Sequence, residues 1–191
     1  MKILLLNMPF YRLDHTALGI SLLKAGLERA GFPCDILYLN LAFAERVCRA
    51  QEDVAAKLDA YIAYWEMGMH PILLGDWTFA GDLFGEPGEA GGHVEEVVAS
   101  TFKNVLSPWA PQVDRQAMSS RALQMRAHVT PFLADCMERI AWEAYDIVGF
   151  TCTYHQQTAS LALARRIKER YLENKRLCGD RLKLDADGTA C

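Results

Sequence analysis

Two clusters of polar side chains each follow an apolar run of this 191-residue sequence, in segments 7–18 and 151–157. They combine amide, hydroxyl, carboxylate and imidazole groups, which bind small ligands through hydrogen bonds. The members are Asn7, Tyr11, Asp14, His15, Thr16, Thr151, Thr153, Tyr154, His155 and Gln156. The concentration of such groups in two segments predicts a binding site if the fold brings the segments together.

The glycine and acid content of these segments disfavours several ligand classes. The first segment has neither G-x-G-x-x-G nor G-x-x-x-x-G-K-[ST], so no glycine-rich turn brings backbone amides to a phosphate. Dinucleotide binding and P-loop NTPase activity are therefore not expected. A phosphoacceptor site needs clustered acids, and Asp14 is the only acid in the two segments. FMN needs a first loop rich in Ser, Thr and Gly, and the run Pro9-Phe10-Tyr11 is poor for it.

The elements that must position these loops predict a parallel sheet. Three largely apolar runs, at 2–6, 34–39 and 146–152, are typical of strands covered on both faces. A helix is predicted at about 17–30, with Thr16 as its cap and Gly31 at its end. With strand order 2-1-3, the two polar loops become neighbours beyond the carboxyl ends of the strands, where such sheets bind ligands.

The middle of the chain interrupts this α/β pattern. Helical patterns cover 41–64, 93–105 and 114–141, and the glycine-rich stretch 68–92 is predicted to be a loop anchored by aromatic residues. A helix over 158–172 then follows the third strand, with Ala159, Ala162 and Leu163 on one face.

One domain is therefore expected over 1–177. Its α/β core comprises 1–40 and 145–177, and a mostly helical insertion occupies 41–144. The tail 178–191 is atypical, because a further apolar strand is expected there and the sequence does not supply one.

Composition disfavours other classes of protein. The net charge of −4 argues against broad nucleic-acid binding, and no apolar run is long enough for a membrane span. The six cysteines form no C-x-x-C pair, so zinc and local iron–sulfur motifs are unsupported. We expect reduced thiols in a cytoplasmic protein, with Cys136 and Cys152 as core residues.

A more specific pattern emerges when whole segments are compared with known families. The runs Met8-Pro9-Phe10-Tyr11, Leu18-Gly19-Ile20 and Leu22-Leu23-Lys24-Ala25, and later 145–153 and 159–168, resemble the cobalamin (B12)-binding domain of B12-dependent radical SAM enzymes. The segments 38–41 and 77–85 are similar to a narrower branch, the radical SAM C-methyltransferases that mature ribosomally made peptides. The resemblance covers about residues 1–177.

This resemblance implies a flavodoxin/Rossmann-like open parallel sheet that holds cobalamin, usually without a protein histidine on cobalt. The residues that would line the cofactor site are Asn7, Met8, Pro9, Phe10, Tyr11, Leu18, Gly19, Thr151, Thr153, Tyr154, His155 and Gln156. His155 is the one candidate cobalt ligand. Asp14-His15 followed by Gly19 does not reproduce the D-x-H-x-x-G signature of other cobalamin domains, because its spacing differs.

Full-length members of this family also bind a [4Fe–4S] cluster through C-x-x-x-C-x-x-C and cleave S-adenosylmethionine in a barrel domain. This sequence has no such motif, so we expect a truncated form that is inactive alone. The resemblance to the family ends near Leu177. A frameshift, an artificial tail and a cloned domain are the alternative explanations of the truncation.

The alternative function is a non-catalytic interaction module, which would bind a partner protein or leader peptide. Its aromatic anchors would be Trp65, Trp77, Phe79, Phe84 and Trp109.

Overall fold

A three-stranded parallel sheet is the centre of the fold in the computed structural model, which describes residues 1–68, 74–85, 96 and 115–177. The strands are β1 (Ile3–Asn7), β2 (Cys34–Tyr38) and β3 (Ile147–Phe150). Their order is β2–β1–β3, and Ile3 is paired with Cys34 on one side and with Ile147 on the other. The predicted α/β class and the all-parallel pairing are therefore confirmed, and the observed order is the one that makes the two polar loops neighbours.

The helices of the described residues fall into three groups along the chain. α1 (Leu18–Arg29) connects β1 to β2, and α7 (Gln157–Leu177) follows β3. Between β2 and β3 lie α2 (Leu39–Arg49), α3 (Val54–Met67), α4 (Leu74–Phe84), α5 (Arg115–Ala127) and α6 (Val129–Arg139). A single turn of 3₁₀ helix, Trp142–Ala144, precedes β3.

The helical pattern predicted over 41–64 is two helices in the structure. The side chain of Asp53 accepts a hydrogen bond of 2.7 Å from the backbone N–H of Ala56, which caps the start of α3. The capping aspartate therefore marks a helix start inside the segment that was predicted as one helical stretch.

The two faces of the sheet have very different cores. On the insertion face, Leu4 and Leu6 are fully buried and belong to a large cluster that includes Phe43, Phe79 and Leu163. On the α1 face, Ile3, Leu5 and Cys34 form a separate small cluster beneath partly buried residues of α1. Alternation along β1 thus assigns neighbouring residues to two cores of unequal size.

The predicted loop over 68–92 is wrong for the part that the structure describes, because Leu74–Phe84 is the helix α4. One of the two glycines of α4, Gly75, serves close packing rather than a loop conformation. A Cβ on Gly75 would lie 2.7 Å from the Cβ of His155 and 3.0 Å from Cδ2 of Phe10. Burial of Trp77 and Phe79 outweighs the low helix propensity of these glycines.

Two smaller predictions are also corrected. Thr16 does not cap α1, because Ala17 occupies the N-cap position and no side chain provides a capping hydrogen bond. Cys152 is exposed, since β3 ends at Phe150 and the chain turns away from the core. Cys136 is buried as predicted, and burial raises the pKa of its thiol to about 12.

Other predictions agree with the described residues or lie outside them. Gly31 ends α1 with a φ of +84°, and Ala159, Ala162 and Leu163 are buried together on α7. The four described cysteines are free thiols. No helix in the described ranges has the length and apolar character that a membrane span requires. The predicted helix at 93–105, Trp109 and the tail 178–191 lie outside the described residues, apart from helical Glu96.

Candidate functional site

The two predicted loops meet at the carboxyl ends of β1 and β3. The backbone N–H of Thr151 donates to the carbonyl oxygen of Leu6 at 3.0 Å, which extends the pairing of the strands by one residue. The N–H of Met8 then donates to Oγ1 of Thr151, also at 3.0 Å. The strand order reverses at this point, so the loops occupy the position at which open α/β sheets bind ligands.

Gln156, which belongs to the second loop, also connects the two loops. Its Nε2 donates to the carbonyl oxygen of Met8 at 2.6 Å, and its Oε1 accepts a hydrogen bond from Oγ1 of Thr153. Gln156 itself is fully buried. Its amide therefore positions both loops and is not directed to solvent.

Asn7 is the one predicted site residue with an unused donor in this network. Its Oδ1 accepts from Oγ1 of Thr151 at 3.4 Å and lies 3.5 Å from Nε2 of Gln156. Its Nδ2 is buried and has no hydrogen-bond partner within the described residues. An unsatisfied buried N–H group costs free energy, so this amide is suited to donate to a ligand oxygen.

Phe10 and His155 are directed into the protein, not toward the loop surface. Both have positive φ angles, 70° and 64°, although neither is glycine. Phe10 packs against Phe43 and Tyr64 with ring centroids 5.8 and 5.2 Å away. His155 is 1% exposed, so its imidazole lies in the core and not on the loop surface.

Tyr64 of α3 fixes the backbone of the first loop. Its hydroxyl accepts a hydrogen bond of 2.8 Å from the N–H of Phe10 and donates to the carbonyl oxygen of Tyr11 at 3.2 Å. Burial raises the pKa of Tyr64 well above its usual value, so the phenol remains protonated. This tyrosine was not among the predicted site residues.

Asp76 of α4 fixes the second loop in a similar way. Its Oδ1 accepts hydrogen bonds of 3.0 Å from both the N–H and the hydroxyl of Thr158 at the start of α7. Asp76 was not among the predicted site residues, because the glycine-rich stretch 68–92 indicates a loop. The helical spacing of Leu74, Trp77 and Thr78 is the signal that could have identified this helix.

The exposed part of the predicted site is a smaller set, which we call the rim. It consists of the half-buried Tyr11 and the exposed Leu18, Gly19, Thr153 and Tyr154. Leu18 is 64% and Tyr154 60% exposed, which is high for large side chains. Pro9 is buried beside Met8. The predicted residues thus divide into an internal group that holds the loops and a rim that faces solvent.

Asp14 and His15 form a surface ion-pair cluster beside the first loop. Nδ1 of His15 lies 2.9 Å from Asp14 Oδ1, and Arg12 donates to the same carboxylate through Nε and Nη2 at 3.0 and 2.8 Å. Hydrogen bonds from Arg12 and His15 hold the pKa of Asp14 well below its usual range. This arrangement satisfies Asp14 locally. Within the described ranges, no group of three or more His, Cys, Asp or Glu side chains could hold a metal ion.

The residues predicted to bind cobalamin are of two kinds, those accessible at the rim and those enclosed by the core. Corrin side chains are amides. Nδ2 of Asn7 is a donor suited to their oxygens, and the hydroxyl oxygen of Thr153, whose hydrogen is donated to Gln156, is an acceptor suited to their N–H groups. Tyr154 and Leu18 offer apolar surface for the edge of the ring. His155 and Phe10, in contrast, are enclosed by core residues. Comparisons with protein-family models, with curated proteins and with solved structures found no match to this chain.

Proposed function

We propose that this chain is a cobalamin-binding domain of a B12-dependent radical SAM C-methyltransferase that modifies a ribosomally made peptide. The observation that carries the proposal is the pair of polar loops joined by Met8, Thr151 and Gln156 at the point where strand order reverses. Together with the resemblance of segments 8–25 and 145–168, this location favours a ligand at the carboxyl end of the sheet.

The roles of the chain's own residues follow from their burial. Tyr11, Leu18, Gly19, Thr153 and Tyr154 would contact the corrin ring and its amide side chains, and Asn7 would donate from below the loops. Phe10, His155 and Gln156 position those loops from within the core. The proposal assigns no cobalt ligand to this chain.

Cobalamin supplies a transferable methyl group on cobalt when it is bound in its methyl form. The rim residues would orient the ring and exclude water from one of its faces. The cluster and S-adenosylmethionine of such enzymes would need ligands beyond these 191 residues, because the sequence contains no C-x-x-x-C-x-x-C.

Retention of hydroxocobalamin through gel filtration tests the proposal. Wild-type protein should elute with the visible absorption of about one cobalamin per chain. Tyr154→Ala removes a rim side chain that is 60% exposed and should weaken binding roughly tenfold, which is about 1.4 kcal/mol. Tyr61→Ala, on α3 and 42% exposed, is the matched control and should bind as the wild type does.

Colourless wild-type protein with a native circular dichroism spectrum and a cooperative melt would contradict the proposal. Equal binding by both tyrosine variants would place the cofactor away from the rim.

An interaction module is the second candidate function, and one surface favours it. Val54, Leu58, Ile62 and Trp65 repeat at helical spacing along α3 and are 82%, 58%, 38% and 49% exposed. Trp77 and Phe79, by contrast, are core residues, so the set of aromatic anchors expected from the sequence is reduced to Trp65 and Phe84 among the described residues. Folded but colourless protein in the retention experiment would favour this candidate. Leu58→Asp should then abolish binding of a leader peptide measured by calorimetry.

A further inference from the structure

A concave surface lies at the carboxyl end of β2, and none of the rim residues lines it. It has a volume of about 670 Å³ and lies between α2 and α6, beside Leu37 and Tyr38 of β2. This volume is within the range of small-molecule sites, roughly 300–1,000 Å³. The cavity beside the first loop is only about 210 Å³. We call the larger one the α2/α6 groove.

The α2/α6 groove is lined by apolar and by charged side chains, and its arginines outnumber its acidic residues. Leu37, Phe132 and Ile140 provide apolar surface. Glu45 and Asp135 are the acids of the lining, and each is already paired with an arginine, Arg49 and Arg46 respectively. The paired charges therefore cancel within the groove.

Two basic groups retain capacity for an anion. Arg139 is exposed in the last turn of α6 and forms no ion pair within the described residues. Arg46 uses Nη1 for Asp135, but its side chain remains 30% exposed, and its buried Nε has no hydrogen-bond partner within the described residues. His128 also lines the groove, and burial together with the charge of Arg46 lowers its pKa, so it adds no positive charge at neutral pH.

We propose that the α2/α6 groove binds a small amphipathic organic anion. Its apolar body lies against Leu37, Phe132 and Ile140, and its anionic group is bound by Arg139 and Arg46. This site is additional to the proposed cobalamin site, because its lining shares no residue with the rim. The two sites can therefore be tested independently.

The probe for this site is 8-anilinonaphthalene-1-sulfonate, which carries aromatic rings and one sulfonate. Its fluorescence should rise saturably on titration into wild-type protein, with about one site per chain. N-phenyl-1-naphthylamine lacks the sulfonate and should bind roughly tenfold more weakly, because it cannot accept hydrogen bonds from arginine.

Two matched pairs of variants locate the probe. Ala42→Trp places a large side chain at an exposed position of the groove and should abolish binding, whereas Ala25→Trp on the exposed surface of α1 should not. Arg139→Gln should weaken binding of the sulfonate roughly tenfold, whereas Arg29→Gln, also in the last turn of a helix, should leave it unchanged.

Circular dichroism establishes that each variant is folded, and Arg139→Gln keeps the proposal testable if Ala42→Trp does not fold. Absence of saturable binding to wild-type protein would overturn the proposal. So would full binding by Ala42→Trp, or equal effects of the two arginine variants. Loss of cobalamin binding with an intact sulfonate site would contradict only the proposed function.

Discussion

The insertion face and the α1 face of the same sheet differ in how completely they are covered. Leu4 and Leu6 have no exposed surface on the insertion face. On the α1 face, Ile147 is 45% exposed, and α1 has no buried residue, with Leu22 and Leu23 62% and 51% exposed. The helices between β2 and β3, which the sequence presents as an interruption, therefore provide most of the core. The α1 face has the smaller buried cluster, so we expect it to contribute less to stability.

The largest predicted effect comes from removing an aromatic ring on the insertion face. Phe79 is fully buried, with ring centroids 5.3 Å from Phe43 and 6.0 Å from Phe10. Phe79→Ala should lower the free energy of unfolding by about 3–5 kcal/mol. Leu23→Ala on the α1 face should change it by less than about 1 kcal/mol. Urea denaturation measures both, and similar losses would show that the two faces are equally important.

Alanine substitutions of two glycines test how tightly the helices on the two faces are packed. Gly75→Ala forces a Cβ within 2.7 Å of His155 and should destabilise the protein by about 1–3 kcal/mol. Gly26→Ala in α1 meets no heavy atom within 4 Å and should stabilise it by about 0.5–1 kcal/mol. The comparison fails if the two substitutions shift the midpoint of denaturation in the same direction.

Asp76 tests the connection between α4 and the second loop. Asp76→Ala removes the acceptor for the N–H and hydroxyl of Thr158 and should cost about 0.5–2 kcal/mol, as loss of a helix cap does. Asp76→Asn keeps an oxygen at that position and should cost less. A thermal melt of the two variants distinguishes them, and equal stability of wild type and alanine variant would exclude a positioning role.

The smallest effect is predicted at the exposed amino end of the sheet. Hydrogen bonds from Lys2 and then Tyr145 hold the pKa of Asp35 below its usual range. A lowered folded-state pKa stabilises the protein above the unfolded value of about 3.9 and loses that effect as the pH falls. The melting temperature of wild type should therefore exceed that of Asp35→Asn at pH 7, and the difference should shrink by about pH 3. A constant difference would exclude the ionised pair as its cause.

The strands and their parallel pairing were predictable because continuous apolar runs and short strand–helix–strand crossovers are typical of parallel sheets. The helix α4 was not, because Gly75 and Gly81 locally favour a loop, whereas close packing against His155 and Phe10 requires a glycine at position 75. The inward direction of Phe10 and His155 depends on positive φ angles, which no local pattern indicates for these residue types. The α2/α6 groove lies between two helices that are far apart in the sequence, and no local pattern indicates that they pack side by side.

The most direct test of the cobalamin proposal is the dissociation constant of hydroxocobalamin for two tryptophan variants of α1. Gly19 lies on the rim and Gly26 lies two turns further along the same helix face, and a Cβ on either residue meets nothing within 4 Å. Both variants should fold. We predict that Gly19→Trp weakens binding at least roughly tenfold, while Gly26→Trp retains the wild-type value. Tight binding by Gly19→Trp, or no binding by folded wild-type protein, would contradict the account.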